Sequence, residues 1–248
     1  MSVGTRADRF LVDHGYAKSR AEAQAAIRAG QVSVDGVVLR RPSQHLTDGV
    51  RISYTPVHPY VSRGALKLIA ALDHFGFSPA GRQCLDIGAS TGGFTQILLA
   101  RGAEAVTAID VGHGQMDPTL AADPRVKVLE GVNARQLQTF GIARPEAIVV
   151  DVSFISLTLV LPPALNLAAD AAWLVALVKP QFEVGRSEVG KHGVVRNSEA
   201  IAVAVASVKQ AAVDSGFTVL NQIESPIRGP KGNREFLLHL KLAAKGNF

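Results

Sequence analysis

Cysteine is nearly absent from this 248-residue chain: Cys84 is the only one. No internal disulfide can form, which excludes a disulfide-stapled secreted scaffold and fits a reducing cytoplasm, the expected location. A single cysteine inside an apolar run reads as a small buried hydrophobe rather than a nucleophile. An apolar leader is also lacking, because Arg6, Asp8 and Arg9 interrupt the first stretch, so no signal peptide is expected. The longest greasy segment, Ile155 to Leu167, holds Pro162, Pro163 and Asn166. It falls short of the ~20 apolar helical residues that span a bilayer, so no membrane partner is expected. Repeats and low-complexity tracts are missing, and no metal-ligand set is expected. What the chain does have is 47% hydrophobic residues, enough for a sizeable core in one or two domains, and a formal charge of +5. That charge favours an anionic partner.

The most informative stretch runs from Asp86 through Gly88, Ala89, Ser90, Thr91, Gly92 and Gly93 to Phe94. Its glycines follow a short strand-like run and let backbone approach a ligand closely. The run Ala105 to Asp110 reads as a second buried parallel strand with a carboxylate at its carboxyl end. Asp110 lies 22 residues after Gly88, a spacing that suits a ribose-holding acid. The glycine pattern is G-x-x-x-G-G, not G-x-G-x-x-G, and no G-K-[ST] follows. The turn contains no Lys or Arg to neutralise a pyrophosphate. An adenosine cofactor with ribose hydroxyls and a sulfonium but no phosphate fits best: S-adenosylmethionine. Asn133, after the strand-like Val126–Leu129, stands either where a third strand would meet the adenine or as a helix cap.

Residues 1–58 have a different texture. Arg6–Val12 and Ser19–Ile27 read as short amphipathic helices, the second capped by Ser19 with Glu22 at the capping-box position. Gln31–Val38 reads as a hairpin around Asp35-Gly36, and Val50–Tyr54 as a third strand. This segment carries eight Lys and Arg against five acids, net +3. The patterns R-x-D-x-x-L/F, G-Y-A-x-S-R-x-x-A, I-x-x-G-x-V-x-V-D/N-G and P-x-x-x-L-x-x-G-x-x-I run nearly intact from Arg6 to Ile52. They resemble the S4 RNA-binding module. That resemblance implies phosphate contacts from Arg6, Lys18 and Arg20, which position RNA without reading its sequence. The alternative for such arginines is a solvated charged face. Pro56 and Pro59 then keep the chain extended.

From Ser62 onward strand-like and helix-like runs alternate. Strands are expected at Gln83–Ile87, Ala105–Asp110, Val126–Leu129, Ala147–Val152, Trp173–Val178, Phe217–Ile223 and Phe236–Leu242. Seven strands with helices between them imply an α/β fold with an open, doubly wound sheet. Four polar residues interrupt it: Lys67 in an apolar helix, Asp151 and Lys179 at strand carboxyl ends, and Glu235 at the start of the last strand. Taken singly, Lys67 reads as a snorkelling side chain and Glu235 as an edge charge. The strand-end pair sits where ligands bind in open α/β sheets.

In the order K-D-K-E, these four resemble the catalytic set of the FtsJ-like RNA ribose 2′-O-methyltransferases. With the S4-like segment in front, Ser62-Arg63-Gly64-Ala65-Leu66-Lys67-Leu68, Val150-Asp151-Val152-Ser153-Phe154-Ile155-Ser156, Val178-Lys179-Pro180-Gln181-Phe182-Glu183 and Lys191-His192-Gly193 narrow the match. The chain resembles the TlyA family (haemolysin A-type ribosomal RNA methyltransferases) over essentially its whole length.

The resemblance implies a small α+β S4-like domain at 1–58, a linker at 59–64, and a seven-stranded Rossmann-like class I methyltransferase domain at 65–248. It implies methyl transfer to a ribose 2′-hydroxyl, with cytidine as the expected nucleotide and ribosomal RNA in assembled subunits as the partner. No stable protein partner is expected. Lys179 would be the base, Lys67 a neighbouring cation favouring its neutral amine, Asp151 the orienting partner, and Glu235 the group fixing Lys67 or Lys179. Arg63 and Lys191 join the expected RNA contacts, the latter on a charged, glycine-rich loop. Family members carry Arg-x-Trp-Val ahead of Ser-Arg-Gly, where this chain has His58-Pro59-Tyr60-Val61. Linker control of cofactor affinity is therefore not carried over. The competing readings are a membrane-acting haemolysin and a catalytically silent RNA-binding assembly factor.

Overall fold

The computed structural model describes residues 4–242, with the backbone alone for Gln138 and Thr139. The first three and last six residues, which fall within the domain ranges expected above, lie outside the described residues. The chain divides between Pro59 and Tyr60 into two compact units.

The first unit follows from its local signals. It holds β1 (Thr5–Arg6), α1 (Ala7–Asp13), α2 (Arg20–Arg28), β2 (Val32–Val34), β3 (Val37–Val38), β4 (His45–Leu46) and β5 (Ile52–Tyr54). The Ser19 side chain accepts from Glu22 N at 3.2 Å and so caps α2. The Glu22 carboxylate reaches back one residue further than a capping box requires, accepting from Lys18 N at 2.9 Å. Asp35 (φ +51°) and Gly36 (φ +83°) make the left-handed turn between β2 and β3, and β5 pairs with the other side of β2. Pairing of β1 with β4 was not foreseen, since two-residue strands leave no periodic trace. Phe10, Leu11, Ala26, Ile27, Val32 and Leu46 are among the residues that form its core.

The second unit holds α3 (Gly64–Phe75), β6 (Gln83–Ile87), α4 (Gly93–Ala100), β7 (Ala105–Ile109), α5 (Pro118–Ala121), β8 (Val126–Leu129), β9 (Ala147–Val150), α6 (Leu161–Leu167), β10 (Trp173–Val178), α7 (Ser198–Asp214), β11 (Phe217–Glu224) and β12 (Phe236–Leu242). The seven strands form one sheet in the order β11-β12-β10-β9-β6-β7-β8. Six run in the same direction, five of them paired in parallel, and β12 runs antiparallel between β10 and β11. Every residue of β9 and β10 is buried, as expected of strands covered on both faces.

All seven expected strands form, with β7 and β9 ending at Ile109 and Val150, short of the acids expected to close them. The alternation with helices is less regular than expected. Only the 3₁₀ turn Leu137–Phe140 lies between β8 and β9, and the loop 225–235 joins β11 to β12 directly because an antiparallel pair needs no crossover. The chain goes from β6 outward to β7 and β8, then returns to place β9 on β6's other side. That reversal opens a crevice at the carboxyl ends of β6 and β9. No helix among the described residues is long and apolar enough to cross a membrane.

Candidate active site

The turn after β6 is shaped by close approach. Gly88 has φ +86°, and a Cβ there would stand 2.7 Å from the Asp151 carbonyl oxygen. Ser90 adopts φ +46°, an uncommon angle for a side-chain-bearing residue. Its amide donates to Asp110 Oδ2 at 2.8 Å, while Gly112 N donates to Asp110 Oδ1 at 2.7 Å. Asp110 thus ties the loop after β7 to the turn after β6, and both its oxygens retain lone pairs for a ligand. A cavity of about 480 Å³ opens here, with Asp110, Val111, Val132, Asn133 and Ile155 among its lining residues. Asn133 Oδ1 accepts from Arg135 N at 3.0 Å, so the side chain both caps a local turn and faces the cavity.

Gly88→Ala is expected to cost about 1–2 kcal/mol through the left-handed backbone alone. It also forces the turn away from Asp151. A melting temperature lowered by a few degrees and a cofactor affinity reduced at least about tenfold in calorimetry are the expected results.

Asp86, expected to touch the cofactor, lies fully buried and lines neither cavity described here. Its Oδ2 accepts from Thr95 Oγ1 at 2.7 Å, and Oδ1 has no partner. Burial pushes its pKa up to about 7, with the Thr95 hydrogen bond opposing the rise. The folded chain therefore retains a proton that an unfolded aspartate releases near pH ~4. Its contribution makes stability fall as pH rises from about 4 to about 7, by at most about 4 kcal/mol, and level off above. Asp86→Asn should flatten that part of the curve in thermal melts across this range; an unchanged profile would remove Asp86 as its source.

A second cavity, of about 540 Å³, adjoins the first along Gly88, Ser90, Asp151, Ser153 and Phe154. All four residues of the K-D-K-E set line it, together with Gly88, Ala89, Ser90, Thr91, Gly93 and Phe94 of the turn. The set resolves into two ion pairs. Lys67 Nζ meets Glu235 Oε2 at 2.6 Å, with side chains 8% and 0% exposed. Lys179 Nζ meets Asp151 Oδ1 at 2.7 Å and donates to Ser153 Oγ at 2.8 Å. Glu235 thus fixes Lys67 and not Lys179. Lys67 is a cation paired with this carboxylate, inside the same cavity as Lys179. Glu235 Oε1 is buried without a partner, and Gly229 is needed beside it, since a Cβ there would collide with that oxygen.

The FtsJ-like methyltransferase family model matches residues 60–242, and the S4 domain model matches residues 5–52. The chain is 44% identical to the 16S/23S rRNA (cytidine-2′-O)-methyltransferase TlyA of Mycobacterium tuberculosis, covering 99% of this chain and 95% of that protein. The chain belongs to the TlyA family of FtsJ-like methyltransferases. Hemolysin A of Brachyspira hyodysenteriae is 40% identical over 94% of this chain and 98% of its own length. A solved structure described as a hemolysin from Streptococcus thermophilus superposes with a TM-score of 0.78 at 40% identity, covering 97% of this chain and 89% of that one. Haemolysin names and methyltransferase names therefore meet within one family.

Of the other residues of interest, Gly92 lies apart from both cavities, under Leu120 and Met116, where its φ of +92° and the lack of a Cβ let the turn close. Arg63, the residue before α3, lines the larger cavity, whereas exposed Lys191 lines neither. Arg6 and Arg20, expected to contact RNA, both bind Asp8, at 3.2 and 2.8 Å. Asp8 is fully buried. Burial alone would raise its carboxyl, yet hydrogen bonds from Arg6, Arg20 and Gln24 hold it well below the usual carboxylate range. Both arginines remain about half exposed, so their outer N–H groups still face solvent. Lys18, two residues ahead of α2, is exposed. Among the described residues no cluster of three or more His, Cys, Asp or Glu is placed to hold a metal ion.

Sequence reasoning missed two groups. Ser153 was visible within Asp151-Val152-Ser153-Phe154, but nothing marked its hydroxyl as a partner of a lysine 26 residues away. Asn233 was also overlooked. It is buried, accepts from Val195 N at 2.9 Å and donates to Gly193 O at 2.8 Å, tying the glycine-rich loop to the segment before β12.

Proposed function

We propose that this protein transfers a methyl group from S-adenosylmethionine to the 2′-hydroxyl of a cytidine in ribosomal RNA, within assembled subunits. The observation that carries this reading is the convergence of Lys67, Asp151, Lys179 and Glu235 on one cavity beside the glycine turn. The relative named as a 16S/23S rRNA cytidine-2′-O-methyltransferase supports the choice of atom and nucleotide. The S4 match supports an RNA substrate read through shape and backbone.

The residues of the smaller cavity fit the donor's adenosine half. Val111, Val132 and Ile155 offer apolar walls, and Asp110 offers carboxylate lone pairs to ribose hydroxyls. No Lys or Arg lies between Gly88 and Phe94 that would select for a pyrophosphate. When bound, the donor supplies an electrophilic methyl on a sulfonium. Transfer forms a C–O bond at the ribose and breaks a C–S bond. The proton leaving the 2′-oxygen goes to the Lys179 amine, which must first shed its own proton to solvent. Asp151, whose Oδ1 stands 2.7 Å from that nitrogen, then orients the amine so that its lone pair meets the hydroxyl. Lys67, held by Glu235, turns its remaining N–H groups toward the charge that develops on the oxygen. Alignment supplies much of the rate, since positioned reactants gain roughly 7–11 kcal/mol in favourable cases.

The test is transfer of labelled methyl groups from S-adenosylmethionine to ribosomal subunits prepared from cells lacking this gene. Incorporation into subunits is expected. Cofactor and RNA binding without incorporation would instead favour a catalytically silent assembly factor.

A further inference from the structure

One hydroxyl touches the proposed catalytic lysine and stands where the two cavities meet. Lys179 Nζ donates to Ser153 Oγ at 2.8 Å, and Ser153 lines both spaces. Methyl transfer, as read above, has to cross that junction. The oxygen of Ser153 acts as acceptor toward Lys179, which leaves its own O–H directed elsewhere. Asp151 and Ser153 therefore hold the same nitrogen from two points.

The place of Ser153 is fixed by its surroundings. The next residue, Phe154, adopts φ +63°, a left-handed conformation that costs energy in a residue with a large side chain. Its ring lies 5.1 Å from that of Phe182. Behind the loop, Glu183 Oε2 accepts from Ser156 Oγ at 2.6 Å and Glu183 Oε1 accepts from Leu157 N at 2.9 Å. Lys179, Phe182 and Glu183 all belong to the segment after β10, so it grips the loop after β9 at three successive points. Such over-determination is what a group held to within a fraction of an ångström requires.

We propose that Ser153 is a positioning residue of the transfer reaction, its hydroxyl oxygen holding the Lys179 nitrogen at the junction of the donor and acceptor cavities. Glu183, half-buried, is the anchor that keeps the serine loop in place. This rests on the assignment of Lys179 as base. An unheld lysine keeps its charge partner but loses one of two bearings, and a misplacement of about 1 Å can cost 10²-fold in rate.

The experiment compares Ser153→Ala and Ser153→Thr in the full-length protein, using S-adenosylmethionine and subunits from cells lacking the gene. For Ser153→Ala, kcat is expected to fall about 10- to 100-fold. KM for the subunits, cofactor affinity by calorimetry and the melting temperature should stay unchanged. Ser153→Thr keeps the hydroxyl and should recover most of the rate. A wild-type kcat in the alanine variant, equal losses in both variants, or a parallel loss of cofactor binding would each overturn the proposal. If the wild-type protein methylates no ribose, the underlying reading fails; if it does and Ser153→Ala is fully active, only this inference fails.

Discussion

Lys179→Ala is expected to lower kcat for ribose methylation by about 10²–10⁴, the range over which a positioned general base contributes. Cofactor affinity should hardly change, because Lys179 lines only the larger cavity, whereas Asp110 and Asn133 line the smaller one. The residue directly follows β10, whose six side chains are all buried, so the backbone that carries it is rigid. Removing the amine leaves Asp151 facing the cavity with no cation at 2.7 Å and deprives the 2′-hydroxyl of its proton acceptor. Lys179→Arg should not rescue, because a guanidinium keeps the charge but does not release its proton under assay conditions. A Lys179→Ala enzyme within about tenfold of wild type would remove this residue from the base role.

The second large effect separates folding from chemistry at the other ion pair. Glu235→Ala leaves Lys67 with no carboxylate inside a site where its side chain is only 8% exposed. Breaking a buried pair from one side costs about 3–5 kcal/mol, so a marked fall in chemical-denaturation stability is expected. Replacing both partners, Lys67→Met with Glu235→Met, removes the uncompensated charge and fills similar volume. Its stability should return to within about 1–2 kcal/mol of wild type or better, while methylation stays lost. Equal destabilisation in the single and double variants would argue that packing, not charge, is what Glu235 contributes. An active double variant would take the pair out of the mechanism.

Much of this architecture was legible in the residues themselves. The strands came from short apolar runs such as Ile148-Val149-Val150 and Leu174–Val178, whose lack of alternation matches burial on both faces. Asp110 was readable because an acid closing such a run has few structural reasons to be there. What could not be read was pairing across distance. Lys67 and Glu235 are 168 residues apart, and only the placement of β12 beside β10 brings them together. Asp86 was placed on the first strand and grouped with the expected cofactor contacts, but its residue type did not reveal that the side chain turns inward beneath the glycine turn, toward Thr95 on α4. Arg6 and Arg20 looked free for phosphate; their spacing from Asp8 did not reveal that the carboxylate is buried and gathers both. Where a polar group has a partner close in sequence, as Ser19 has in Glu22, the sequence pattern was enough.

Mass spectrometry of nucleosides from ribosomal RNA methylated in vitro by the purified protein decides whether the acceptor is a sugar hydroxyl. A methyl mass on the ribose of cytidine and a nuclease-resistant linkage 3′ to it are expected, both missing when Lys179→Ala is used. A methyl group found on a base, with unmodified ribose, would contradict a sugar acceptor.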